Sequence, residues 1–226
     1  MFHGPRMSNL KFTLLTDGSS DQVLIRHLEW LVRQHVAPTF TIQSEWANLR
    51  PFHPKPTSLS ERIQRAIEFY PGDLLFVHRD AEKQDPQLRH TEIADATMSL
   101  SSLLESLVAV VPVRMQEAWL LFDESAIRKA AGNPNGTIDL SLPSLTELER
   151  VAEPKEVLLC GLRTASGLTG RRLKKFPERA AARRVAEYIE DFSLLRRLNA
   201  FQKLESDISA EVRRRGWAEN PRDATG

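Results

Sequence analysis

What the chain lacks narrows it first. Its 226 residues hold a single cysteine, Cys160, which excludes an internal disulfide framework and any zinc site built on several thiolates. No apolar run approaches the roughly 20 residues that cross a bilayer. The opening MFHGPRMSNL lacks the apolar segment of a secretory signal, so a cytoplasmic address is the default expectation. The phosphate-cradling pattern G-x-x-x-x-G-K-[ST] is missing, so any ATP hydrolysis must come from a partner. There is no internal repeat. Net charge is only +1, which points to no partner by itself, so the distribution of charge carries the information. Hydrophobic content of 41% and charged content of 27% are those of an ordinary globular protein.

What is present centres on Leu74–Asp80, LLFVHRD. An apolar run between turn signals reads as a buried strand of a parallel sheet. Its C-terminal end is where α/β sheets place ligands. Around it the pattern predicts strand Leu10–Thr16, helix Gln22–His35 capped by Asp21, and strand Phe40–Trp46. A proline-rich loop over 50–58, helix Ser60–Tyr70 and the central strand come next. Helix Ile93–Leu107, strand Val108–Val113 and helix Gln116–Ala131 complete the series, which stops at Gly132-Asn133-Pro134. This alternation implies a mostly parallel sheet flanked by helices. Residues 10–131 therefore read as an α/β domain. Residues 132–226 read as a linker and a helical C-terminal extension packing on it, with a final helix over Leu194–Arg214. Residues 1–9, with Met7 as an alternative start, read as a loose tail, and 216–226 as a frayed end.

Carboxylates gather at the expected strand ends. Asp17 and Asp21 follow strand one, Asp80 and Glu82 follow the central strand, and Glu117 opens the helix after strand four. If those strands are neighbours, Asp17, Asp80 and Glu117 share an edge. Clustered carboxylates repel, and a divalent cation with oxygen ligands, Mg²⁺ above all, relieves the repulsion. On an extended segment Asp80 and Glu82 face one side and can reach one metal. Each acid also has a plain structural reading. Asp17 is a common turn residue, Asp21 a helix cap, Glu82 a member of a charged loop, and Glu117 favours the positive end of its helix. His78 shares the face of Asp80, as a core residue or a functional one. Arg114 suits a phosphate, or an ion pair with Glu117 or Asp80.

Residues 163–184 carry eight basic residues against one acidic. Arg171, Arg172, Lys174 and Lys175 make this run the candidate grip on a nucleic-acid backbone, with a solvated helix face as the alternative. His78-Arg79-Asp80 spells a kinase tripeptide, but no glycine-rich loop precedes it and the chain is too short for that fold. Cys160, Trp30, Trp46 and Trp119 are expected in the core.

Two motifs, TDGSSD at 16–21 and the Asp80-Ala81-Glu82 pair, are similar to the layout of the Toprim fold, shared by topoisomerases, bacterial primases and nucleases of the OLD type. The segment VPVRMQEAWLLFDESAIRKAAGNPNG, 111–136, resembles the Met-x-Glu-x-Trp stretch of the Toprim-like bacterial family catalogued as domain of unknown function 4276. EDFSLLRRLNAFQKLESDI, 190–208, is similar to that family's C-terminus. The resemblance implies a Mg²⁺- or Mn²⁺-dependent nuclease, the effector of a bacterial anti-phage system working with an ATPase of the ABC or AAA class. It makes Asp17 a general base or metal ligand, Asp80 and Glu82 metal ligands, Asp21 a supporting ligand, and Glu117 the family's own acid. The chain departs from the Toprim pattern in having Asp17 where Glu is usual and Glu82 where Asp is usual. The alternative from another class is a non-catalytic Toprim-like binding or adaptor subunit. A weaker third is a Mg²⁺-dependent phosphotransfer on a small nucleotide.

Overall fold

A computed structural model describes residues 8–100 and 106–219. The expected N-terminal tail lies mostly outside the described residues, as do residues 101–105 of the helix expected over 93–107 and most of the frayed C-terminal end. The fold is α/β, with an all-parallel four-stranded sheet and helices following its strands. The chain divides into two compact units. One comprises the chain to Arg79, residues 87–111 and the chain from Lys203; the other comprises Asp80–Pro86 and Pro112–Gln202. These divisions lie elsewhere than the 131/132 boundary read from composition.

The first unit holds β1 (Ser8–Leu15), β2 (Phe40–Trp46), β3 (Leu74–His78) and β4 (Leu107–Val110), in the order β2-β1-β3-β4. Leu14 sits opposite Trp46 on one side and Phe76 on the other. All five residues of β3 are buried, as a strand covered on both faces requires. β2 is an edge strand and alternates in exposure along FTIQ. The chain enters β3 through Pro71-Gly72, pressed against β1. A Cβ on Gly72 would meet the Lys11 carbonyl at 3.0 Å and Thr13 Oγ1 at 3.1 Å. Asp73 N–H donates to that same carbonyl at 2.7 Å, which fixes the register of β3.

Helix α1 (Leu24–His35) buries Leu24, Leu28, Leu31 and Val32 along one stripe. Its start corrects the sequence reading. A 3-10 turn, Ser19–Val23, precedes it, and Asp21 is the third residue of that turn rather than the cap of a helix from Gln22. Its carboxylate reaches back to the Gly18 N–H, as the acid of a capping box does. Helix α2 (Leu59–Phe69) is capped by Ser58, which accepts the Glu61 N–H at 3.1 Å. Helix α3 (Pro86–Met98) begins seven residues before the expected Ile93, with proline at the position whose missing N–H is harmless. β4 ends before Pro112, which has no N–H to give a ladder.

Helix α8 (Asn199–Arg214) joins the sheet unit from Lys203 onward. Ile208 and Val212 are buried, His35 Nε2 meets Glu205 Oε1 at 3.0 Å, and Ala37 N–H donates to the Trp217 carbonyl at 2.8 Å. The last turns of the chain thus belong to the first unit.

The second unit is helical: α4 (Glu124–Ala130), α5 (Pro154–Ala165), α6 (Gly170–Lys174) and α7 (Glu178–Tyr188), with 3-10 turns between. The single helix expected over 116–131 is broken. Gln116–Leu120 is a 3-10 turn, and Asp123 then caps a new helix by accepting the Ala126 N–H at 2.9 Å. Gly132, at φ +78°, ends α4 as the sequence predicts. Trp119 is wholly buried, edge-on to Phe201 at 5.3 Å. Trp30 and Trp46 are only half-buried, and Cys160 is exposed rather than buried.

Phe12 and Phe76 meet edge-to-face at 5.2 Å across β1 and β3, both wholly buried. Phe76→Ala is expected to cost about 3–5 kcal/mol in urea denaturation. Met98→Ala, at a side chain that faces solvent, should stay within about 0.5 kcal/mol.

Candidate functional site

The strand order fixes where the site lies. From β1 the chain passes to β2 on one side, then to β3 on the other, so the order reverses between β1 and β3. Ligands of open α/β sheets bind at the carboxyl ends of strands flanking such a reversal. Asp17 lies two residues beyond β1 and Arg79 follows β3 directly.

These two side chains pair. Arg79 donates from one guanidinium nitrogen to both Asp17 oxygens, at 2.9 and 3.0 Å. Arg62, from the first turn of α2, donates to the same carboxylate and to the Thr16 carbonyl. Arg79 also reaches Glu92 of α3 at 3.0 Å. Burial pushes the Asp17 carboxyl up. The hydrogen bond and charge of Arg62, joined by those of Arg79, outweigh that effect and hold it below its ordinary 3.8. Asp17 therefore stays ionised, and two guanidinium groups are held facing one edge.

Asp21 is spent within its own turn. It is buried; Oδ2 accepts the Gly18 N–H at 3.1 Å and Oδ1 the Ser20 hydroxyl at 2.8 Å. His78 Nδ1 lies 3.8 Å from Asp21 Oδ2, with His78 2% exposed, so this histidine sits in the core beneath the loop.

Beside Asp17 a cleft of about 170 Å³ opens between the loops after β1 and β2, lined among others by Ser19, Trp46, Arg50, Lys55 and Arg62. Trp46 donates its indole N–H to Thr16 Oγ1 at 2.9 Å, and that hydroxyl donates to the Gly18 carbonyl at 2.6 Å. The loop is thus tied to the edge strand. Arg50 donates to Ser19 Oγ at 2.7 Å, which holds its guanidinium at the rim.

The remaining sequence candidates lie in the second unit. Asp80 Oδ1 accepts the Gln116 N–H at 3.0 Å, tying the 80–86 segment to the 3-10 turn. Ala81 and Glu82 continue that tie, donating to the carbonyls of Pro112 and Arg114 at 3.2 and 2.7 Å. The expected extended Asp80-x-Glu82 pair is corrected here. Strand β3 stops at His78, and Glu82 has φ +55°, so the alternation that would aim both acids one way is broken. Arg114 is likewise left-handed at φ +61°, and Glu117 is buried within the 3-10 turn. Arg171, Arg172, Lys174 and Lys175 are all exposed, on α6 and its C-cap.

The donors at the first unit's edge do not fit a resident Mg²⁺ as they stand. Mg²⁺ needs an octahedron of oxygens, whereas Asp17 faces two guanidinium groups and Asp21 its own loop. Among the described residues no group of three or more His, Cys, Asp or Glu side chains is placed to hold an ion. Comparison with protein-family models, curated proteins and solved structures finds no match to this chain.

Sequence reasoning found Asp17 but missed Arg62, Arg79, Arg50 and Lys55. Arg79 had a signal, standing beside Asp80 at a strand end. Arg50 and Lys55 follow an edge strand in a loop, where ligand contacts are common. Arg62 carries no local signal.

The Asp17 pairing has a pH signature. Its depressed folded-state pKa makes its contribution present above the unfolded value and lost as pH falls through the folded one. Its side chain is 43% exposed, so solvent screening keeps the effect small. Asp17→Asn should lower stability by under about 1 kcal/mol at neutral pH. The deficit should vanish below the ordinary carboxylate range. Urea titrations at pH 7 and in acid measure it; a deficit independent of pH would remove the charge as its cause.

Proposed function

We propose that this chain is a Toprim-like nucleic-acid-binding subunit that receives a phosphodiester backbone at the edge formed by β1 and β3. The observation that carries this reading is the Asp17 carboxylate clasped by Arg62 and Arg79 at the reversal of strand order. Guanidinium groups match phosphate oxygens in two-pronged hydrogen bonds. Here they are oriented in advance by an acid that remains charged, so little side-chain freedom is lost when a phosphate arrives. The exposed cations Arg171, Arg172, Lys174 and Lys175 offer the second unit's own contacts to a polyanion. An ABC- or AAA-class ATPase is the partner this adaptor reading implies.

A second reading is favoured by one further observation: two carboxylates, Asp17 and Asp21, follow β1 within six residues of its end. Freed of its guanidinium partners, a carboxylate at that edge would serve a Mg²⁺- or Mn²⁺-dependent nuclease, an effector of anti-phage defence. That reading requires Asp17 to exchange its guanidinium partners for a cation.

One experiment separates them: binding and cleavage of single-stranded DNA, plasmid and tRNA, with Mg²⁺ or with chelator, over a range of salt. The binding reading expects affinity indifferent to chelator that weakens as salt rises. Arg79→Ala should flatten the log-log salt slope by about one. Asp17→Ala should retain binding, since it releases cations. Metal-dependent cutting abolished by both Asp17→Ala and Asp80→Ala would install the nuclease instead. Absence of binding to all three polymers would sink both readings.

A further inference from the structure

Beyond backbone binding, the cleft beside Asp17 has a charge and size of its own. Arg50, Lys55 and Arg62 line it against the single carboxylate of Asp17, so its walls carry two positive charges in excess. An internal phosphodiester brings one negative charge, whereas a phosphate monoester brings about −1.5 to −2 at neutral pH. The space, about 170 Å³, is below the roughly 300 Å³ at which pockets begin to enclose a drug-sized molecule. It suits a phosphate head with the rest of the ligand outside.

The walls are fixed before any ligand arrives. Arg50 is tethered to the Ser19 hydroxyl at 2.7 Å and Arg62 to Asp17 and the Thr16 carbonyl. Lys55 stands between Pro54 and Pro56, whose rings restrict the backbone that carries it. Its ammonium forms no ion pair among the described residues. Trp46 closes one side and is pinned through its indole N–H. A compact, three-cation wall with one neutralised member is the arrangement a doubly charged phosphate recognises best.

We infer that this cleft is a receptor for a terminal phosphate monoester, the phosphorylated end of a nucleic-acid strand. The inference rests on the strand-binding reading above and is separable from it by experiment. The full-length chain is titrated, by fluorescence anisotropy, with one labelled single-stranded oligonucleotide carrying 5′-phosphate, 3′-phosphate or hydroxyl ends. One phosphorylated form is expected to bind about tenfold tighter than the hydroxyl form, as an added charge-assisted contact would give. Arg50→Ala and Lys55→Ala should each bring that ratio to about threefold or less. Replacing Arg171 and Arg172 together by Ala should weaken all forms and leave the ratio as it was.

Free AMP, added as competitor, identifies the source of the phosphate. Weaker competition than by the phosphorylated strand upholds the strand end. Equal competition assigns the cleft to a free nucleotide's monoester and overturns the strand-end assignment. Equal affinity for phosphorylated and hydroxyl strands overturns the cleft as a monoester site while leaving backbone binding intact. Tight AMP binding without strand binding would do the reverse, upholding the monoester site and removing the polymer.

Discussion

The parallel pairing of β1 with two different strands is the constraint on which the sheet unit depends. β1 bonds to β2 through Ser8–Leu14 and to β3 through Phe12–Leu15. The chain must therefore leave β1 toward one neighbour and come back on the other side. The loops after β1 and β3 are sent apart, and the space between them cannot be filled by a short connection. Polar side chains that end up there face a sheet edge rich in backbone carbonyls. Thr16, Asp17 and Arg79 occupy that position because their strands end within two residues of it.

Charge at this edge is balanced within the unit. A lone carboxylate beside buried strands would lose part of its hydration. Arg62 and Arg79 supply the compensation for Asp17, and Glu92 in turn offsets part of Arg79. The result is a short chain of alternating charge, Arg62, Asp17, Arg79 and Glu92 in turn. Asp21 belongs to a different account: its oxygens shape the loop by binding Gly18 and Ser20, and the loop in turn places Ser19 beside Arg50. One acid thus orients cations and the other builds the turn, although both follow the same strand.

Much of the fold was legible because its signals are local. Four consecutive apolar residues, Leu74 to Val77, standing between turn signals and His78, announce β3, and Phe40–Trp46 coincides with β2. Pro71-Gly72 follows the expected end of helix Ser60–Tyr70, and the structure adds a close approach of Gly72 to Lys11 of the neighbouring strand. Errors arose where two local preferences compete. Gln116–Ala131 is rich in helix formers, but Asp123 is a better cap than an interior residue and restarts the helix. Asp21 has the composition of a cap, and a capping box uses it three positions later than expected. Trp46 is large and apolar enough for a core, yet its indole N–H needs an acceptor, which a half-buried position at the cleft wall provides.

The site itself was half legible, for a reason that composition cannot overcome. A carboxylate that ends a strand has the same desolvation cost whether a cation or a guanidinium relieves it. Asp17 in the sequence is therefore equally a ligand and a partner; only the placement of basic groups distinguishes them. Those groups come from 45 and 62 residues away, Arg62 from a helix whose pattern reads simply as amphipathic and Arg79 from a tripeptide dominated by its neighbours. Long-range pairing of this kind leaves no periodicity and no spacing rule behind it. Once it is seen, the weight of the edge shifts from acids awaiting a metal to cations awaiting an anion. The Asp17 carboxylate between them holds both guanidinium groups in place.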